Sequence, residues 1–194
     1  MDPRELFRLA GQSILAGLDG GRQRDPELDE LPEKLRDPGA CFVTLKTGGT
    51  LRGCIGSPEA WRPLGQDLAA NAYASAYRDP RFPPLDASEL DELEMEISLL
   101  TAPEPVDCGS EEELLALLRP GEDGLILEDG PLRALFLPAV WESLPEPADF
   151  LLQLKLKAGL GAGPLSSSFA AWRFTAREIS SRDHPSARRF WRQG

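Results

Sequence analysis

The chain has 194 residues, 41% apolar and 27% charged, with a formal net charge of −11. That length builds one good core or two small lobes with a shared interface, and usage this close to average excludes wholesale disorder and a membrane protein. The excess of 32 acidic over 21 basic side chains repels phosphate backbones and anionic membranes, so neither nucleic acid nor a membrane surface is an expected partner.

No run approaches the roughly 18 apolar residues of a spanning helix, and Met1-Asp2-Pro3-Arg4-Glu5 lacks the basic-then-apolar order of a signal peptide. The expected location is cytoplasmic. Three cysteines, Cys41, Cys54 and Cys108, with no CxxC, suit a reduced compartment rather than a disulfide scaffold.

In chain order, Leu6, Leu9, Ala10, Ser13, Ile14 and Gly17 fall at helical spacing and predict an amphipathic helix ending around Gly20-Gly21. Residues 22–40, with Pro26, Pro32 and Pro38, read as a connecting loop with at most a turn of helix. Phe42 to Leu45 and Leu51 to Ile55 are apolar strand-forming runs, and Gly48-Gly49 between them suits a two-residue I′ turn, so residues 41–57 read as a β-hairpin.

If Thr47 pairs with Thr50, then Leu45 faces Arg52, Val43 faces Cys54 and Cys41 faces Gly56 on one side of the sheet. Phe42, Thr44, Lys46, Leu51 and Ile55 share the other. Arg52 and Cys54 then project from one face with only Gly53 between them, and a cation beside a thiol favours the nucleophilic thiolate. Gly53 and Gly56 leave room for a ligand or another backbone segment. The plainer reading makes Cys54 a small core hydrophobe and Arg52 the partner of a nearby carboxylate.

A helix from Pro63 to Tyr77 places Leu64, Leu68 and Ala72 inward, with Asn71 beside that face, either binding a loop carbonyl or pointing into a cleft. Asp79-Pro80-Arg81-Phe82-Pro83-Pro84-Leu85 is stiff, because each proline fixes φ and biases its predecessor. Such a segment presents Arg81 and Phe82, or is a packed connector in which Arg81 pairs with Asp79 and Phe82 plugs the core.

Asp86 to Leu93 suggests a short helical turn, and Leu93, Met95, Ile97 and Leu99 alternate as a strand. Ser110 and Glu113 form a capping box before Leu114 to Leu118. Gly124–Leu127 and Leu132–Leu137 flank Glu128-Asp129-Gly130 as a second hairpin, and Trp141 is a hydrophobic anchor in the link that follows. A helix from Pro147 to Leu156 breaks at Gly159, and Ala170 to Ile179 reads as one last strand.

Five or six strands in hairpins and separated pairs, with four main helices, argue for an α+β fold with a mostly antiparallel or mixed sheet and flanking helices. No P-loop, Rossmann glycine pattern, EF-hand or zinc signature is present. No cofactor or metal is expected. Residues 181–194 carry Arg182, Arg188, Arg189 and Arg192 against Asp183 and read as a basic tail, docking or solvated, that contains the only histidine, His184.

Leu51-Arg52-Gly53-Cys54-Ile55-Gly56, then Asn71-Ala72, Asp79 to Leu85, Glu96-Ile97-Ser98-Leu99-Leu100, Gly124 to Leu127, Leu137-Pro138 and Lys157-Ala158-Gly159-Leu160, resembles the AMMECR-one domain family. Its prokaryotic members are called AmmeMemoRadiSam system protein A. The resemblance covers about residues 5–178 and implies a larger and a smaller lobe, with the Arg-Gly-Cys strand near the cleft between them.

It also implies an association with Memo-type and radical SAM proteins, while the family's activity is not established. It marks a single domain over residues 1–180 and carries over Arg52, Gly53, Cys54, Gly56, Asn71, Asp79, Arg81 and Phe82 as motif residues. The chain departs from the family at Ala139, where an amide is usual, and near Leu154 to Leu156, where a cysteine is common.

Two functions compete. One is an enzyme or enzyme subunit with Cys54 as nucleophile or redox thiol and Arg52 and Arg81 on a small anionic ligand, with Gly53, Gly56, Asn71, Asp79 and Phe82 lining the site. The other is a non-catalytic module that presents this surface to Memo-type or radical SAM partners. A metal site of Cys54 with Cys41 is the weakest alternative, because no histidine supports the pair.

Overall fold

Apolar side chains at helical spacing drive the first element, α1 (Pro3–Leu18), which buries Leu6, Phe7, Leu9, Ala10 and Ile14. In the computed structural model, which describes residues 1–192 apart from 19, 21 and 24, α1 stops at Leu18. Gly20 beyond it takes φ +68°, and Gly21, the second half of the expected stop, lies outside the described residues.

Two compact units follow from the chain's contacts, residues 1–100 with 177 onward, and residues 101–176. The first unit holds a sheet of β1 (Ala40–Thr47), β2 (Thr50–Gly56), β3 (Leu93–Leu100) and β8 (Ala176–Ser180) in the order β2-β1-β3-β8. Cys41, Val43 and Leu45 of β1 and Leu93, Met95 and Ile97 of β3 are fully buried, while the residues between them are half-buried, so the sheet has one closed face. Helix α2 (Leu64–Tyr77) lies on that closed face: Ser75 Oγ donates to Val43 O at 2.7 Å and Asn71 Nδ2 to Cys41 O at 3.0 Å.

The hairpin keeps its expected turn but not its expected register. Gly48 and Gly49 have φ +59° and +81°, and Thr47 pairs with Thr50. One step on, Lys46 pairs with Leu51 but Leu45 pairs with Gly53, so Arg52 is the extra residue of a β-bulge and no β1 residue opposes it. Every later pair shifts by one. Cys54 opposes Thr44 rather than Val43, and Gly56 opposes Phe42 rather than Cys41.

The last strand also differs from its reading. Ala170 to Ile179 is two strands, β7 (Ala170–Phe174) and β8, in different sheets. Ala171 belongs to the second unit's core and Ile179 to the first's, and the chain breaks at Thr175, whose N–H is held by Thr101 Oγ1 at 2.9 Å. Period-two alternation does not reveal such a switch, because each half alternates correctly by itself.

The supposed basic tail is part of the first core. Trp191 and Ser181 are fully buried, Trp191 and His184 lie 6.0 and 6.1 Å from the Phe7 ring, and Arg182 and Arg188 pair with Glu94 at 2.6 and 3.3 Å. Burial of one large aromatic outweighs the solvation of a few surface charges, two of which pair with Glu94 at little net cost. Residues 193 and 194 of that segment lie outside the described residues.

The second unit pairs β5 (Gly124–Asp129) with β6 (Leu132–Phe136) and β7, and β4 (Glu104–Pro105) with β7, beside α3 (Glu111–Leu117) and α4 (Pro147–Ala158). Trp141 is the anchor its sequence suggests: it stacks on Phe150 at 3.8 Å and donates from Nε1 to Asp123 O at 2.7 Å. Ser110 Oγ caps α3 through Glu113 N, but Glu113 turns its carboxylate to Gly109 N, outside the expected reciprocal box. With eight strands in two antiparallel sheets and four α-helices among the described residues, the fold is α+β as expected.

Candidate functional site

The bulge decides what Cys54 can do. With the simple register its side chain would join Val43 and Leu45 on the closed face. One extra residue turns it to the opposite, half-open face, where Thr44 Oγ1 donates to Cys54 Sγ at 3.3 Å.

The Asp79–Phe82 segment wraps the free edge of β2. Asp79, at 4% exposure, accepts from Cys54 N at 2.9 Å, and Ser75 Oγ accepts from Ile55 N at 2.9 Å. The Asp79 carboxylate takes an edge N–H that would otherwise invite another strand, while Ser75 Oγ bridges Ile55 N to Val43 O across the β1–β2 pair.

Arg81 pairs with Asp79 at 2.6 Å and reaches Cys54 O at 3.3 Å, with its side chain 53% exposed. Its hydrogen bond holds the Asp79 carboxyl well below the usual carboxylate range, against the opposite pull of burial. The guanidinium of Arg81 is in turn raised, mainly by its hydrogen bond to Asp79. Through its contact with the Cys54 carbonyl, Arg81 is the cation beside the thiol's residue.

Arg52 takes the plainer of its two readings, the partner of a nearby carboxylate. Its Nε and Nη2 grip Glu89 at 2.6 and 3.0 Å, and Nη2 also donates to Pro83 O at 2.9 Å. This bond is the main reason the Glu89 carboxyl is lowered. Nη1 of Arg52 is buried and meets no acceptor among the described residues. The Phe82 ring, half-buried rather than plugged into the core, sits between the two guanidinium groups, 5.9 Å from Arg52 Cζ and 5.5 Å from Arg81 Cζ.

The motif residues therefore sort into two groups. Arg52, Cys54, Asp79, Arg81 and Phe82 converge on β2 and the loop beside it. Asn71 does not join them: at 5% exposure it donates to Cys41 O, to Asp67 Oδ2 at 2.9 Å and to Ser57 Oγ at 3.3 Å. It takes the carbonyl-binding role that was one of its two readings.

Gly53 and Gly56 make room for the protein itself. A Cβ on Gly53 would stand 2.0 Å from Ser75 O of α2, and one on Gly56 would stand 2.2 Å from the Phe42 ring. The smallest residue is needed at both positions for packing.

Asp67 was missed by the sequence reading and anchors the Asn71 group. It is fully buried and accepts from Cys41 N at 3.1 Å, Cys41 Sγ at 3.4 Å, Ser57 Oγ at 2.5 Å and Arg62 Nε at 3.0 Å. Its position four residues before Asn71 on one helix was the available signal. Glu89 was missed too, although Asp86-x-x-Glu89 is a capping-box spacing, and both halves of that box are formed.

Cys41 faces away from Cys54, so the two thiols do not form the pair considered for a metal. Among the described residues no group of three or more His, Cys, Asp and Glu side chains is placed to hold an ion, and no helix is long and apolar enough to cross a membrane. Cys108 lies in the second unit, its thiol raised by burial and by Glu113 and Asp107.

Fold and motif together define a class of α+β proteins with two four-stranded antiparallel sheets and an Arg-Gly-Cys hairpin. The AMMECR1 family model matches residues 7–179, and the chain belongs to that family. A protein of Methanothermobacter thermautotrophicus is 42% identical over 163 residues, 81% of this chain and 82% of its own.

A Thermococcus gammatolerans protein is 39% identical over 191 residues, covering 93% and 90% of the two chains. The crystal structure of an uncharacterized protein from Pyrococcus horikoshii matches with a TM-score of 0.78 at 34% identity, over 90% of this chain and 89% of that one.

Proposed function

We propose that the protein is an enzyme or enzyme subunit whose reactive group is the Cys54 thiol, acting on a small anionic ligand. The observation that carries this reading is the turning of Cys54 by the bulge onto a half-open face, with a hydroxyl donor on its sulfur and the exposed Arg81 guanidinium at its carbonyl. A hydrogen bond to sulfur and a nearby cation both favour the thiolate. Arg81, more than Arg52, is the cation open to a ligand, and Arg52 supports it through the shared Phe82 ring and its unspent Nη1.

The test is the pH dependence of iodoacetamide labelling at each cysteine, read by peptide mass spectrometry in wild type, Arg81→Ala and Arg52→Ala. The expected result is that Cys54 labels faster than Cys108 at neutral pH, an advantage that falls in Arg81→Ala and falls less in Arg52→Ala. Labelling of Cys54 no faster than that of Cys108 at neutral pH overturns the reading.

One observation favours a second reading. Both motif arginines are already matched by carboxylates, Arg52 by Glu89 and Arg81 by Asp79, which leaves little unbalanced charge to hold an anion. A non-catalytic module that offers Phe82 and its flanking arginines to a Memo-type or radical SAM protein in the cytoplasm fits that balance. Under it, Phe82→Ala and Arg52→Ala lose capture of the partner while Cys54→Ser keeps it.

A further inference from the structure

We infer that the groove between α1, the Pro26–Glu30 segment and α2 is a binding site for a small monocarboxylate with a short aliphatic body. It has a volume of about 500 Å3, within the range of small-ligand pockets. Leu9, Ala16, Pro26 and Ala69 give it apolar surface. Ser13, at its floor, spends its hydroxyl on Ala69 O at 2.6 Å, so no donor there is left over for a polar body.

The polar end is Arg8 with Gln12. Arg8 Nη1 donates to Gln12 Oε1 at 3.0 Å. A guanidinium has no acceptor, so the amide oxygen must face it and Nε2 is left as a donor. Residues four apart lie on one helix face, which places this Nε2 beside the remaining Arg8 N–H groups, a set that suits the two oxygens of a carboxylate.

The facing wall is held in place before any ligand arrives: Gln66 Nε2 donates to Pro26 O at 3.0 Å, and Glu30 Oε2 accepts from Glu27 N at 3.2 Å. Arg8 is the one cation among the described residues that line the groove, and a second carboxylate would lie desolvated against Leu9, Ala16 and Ala69, which selects a monoanion over a dianion.

The groove lies on the helical side of the sheet and Cys54 on the other, so this site and the thiol reading stand or fall separately. The test titrates the full chain with isocaproate, isocaproamide and adipate, followed by calorimetry and by amide shifts of α1. Saturable binding of isocaproate is expected, with the amide and adipate weaker by about tenfold or more and Arg8→Gln losing a similar factor.

Arg8→Lys keeps the charge without the fork and should bind at an intermediate level. Circular dichroism checks that these surface variants fold, and Arg8→Lys carries the test if Arg8→Gln does not. No saturable binding, equal binding of the amide, or isocaproate affinity unchanged in the Arg8 variants overturns the inference.

Discussion

Cys41 and Cys54 sit on paired strands of one hairpin, and the protein gives them opposite surroundings. Cys41 is sealed on the closed face against a buried carboxylate, and its thiol is raised well above the ordinary value, first by burial and then by the charge of Asp67. Cys54 looks out of the other face, with Thr44 Oγ1 on its sulfur and Arg81 on its carbonyl. A single inserted residue, Arg52, separates the two outcomes, because a shift of one position moves a strand residue from one face to the other. The surroundings of a cysteine here are a property of register, not of the residue type or its neighbours in sequence.

The largest effect on this contrast should come from Asp67→Ala, which leaves Cys41 N, Ser57, Asn71 and Arg62 without their shared acceptor. A loss of about 3 kcal/mol is expected from urea denaturation, with Cys41 becoming open to alkylation. A loss under about 1 kcal/mol would show that the network is not what seals that face.

Gly53→Ala should cost about 2 kcal/mol, because its Cβ meets the backbone oxygen of Ser75 rather than a flexible side chain. A thermal melt measures it, and a neutral result would mean that β2 can move away from α2.

The pH dependence on the Cys54 side follows from Asp79. Its folded-state pKa lies below the unfolded value of about 3.9, so the stability it contributes is present above that value and is lost as pH falls through the folded pKa. Wild type should therefore weaken on acidification below about pH 4, and Asp79→Asn should weaken less steeply over the same range. Equal slopes in urea midpoints would remove Asp79 from the account.

The smallest effect is expected from Thr44→Val. It removes only the hydroxyl on the sulfur and should change stability by less than about 1 kcal/mol, while slowing Cys54 alkylation severalfold at neutral pH.

Much of this architecture could be read without coordinates. Helical spacing located α1, α2 and α4, alternation located β3, and Gly48-Gly49 announced the hairpin turn. The specific six-residue motif and its companions pointed to the family that the comparisons then showed. Less was legible at the site. Asp79 and Arg81 were readable as a pair from their spacing, but Glu89 as the partner of Arg52 was not, because that contact spans 37 positions and many carboxylates were available. The split between β7 and β8 was hidden for a related reason: two strands that each alternate correctly look like one.

Local chemistry written in the chain was enough to set the elements, the turn and the residues worth watching, since periodicity, capping and positive-φ glycines act within a few residues. Which of those residues meet was settled only on folding. The bulge at Arg52, the burial of Trp191 and the sealing of Cys41 by Asp67 each depend on packing between segments distant in sequence. Burial and charge pairing choose among registers and partners that the local pattern leaves equivalent.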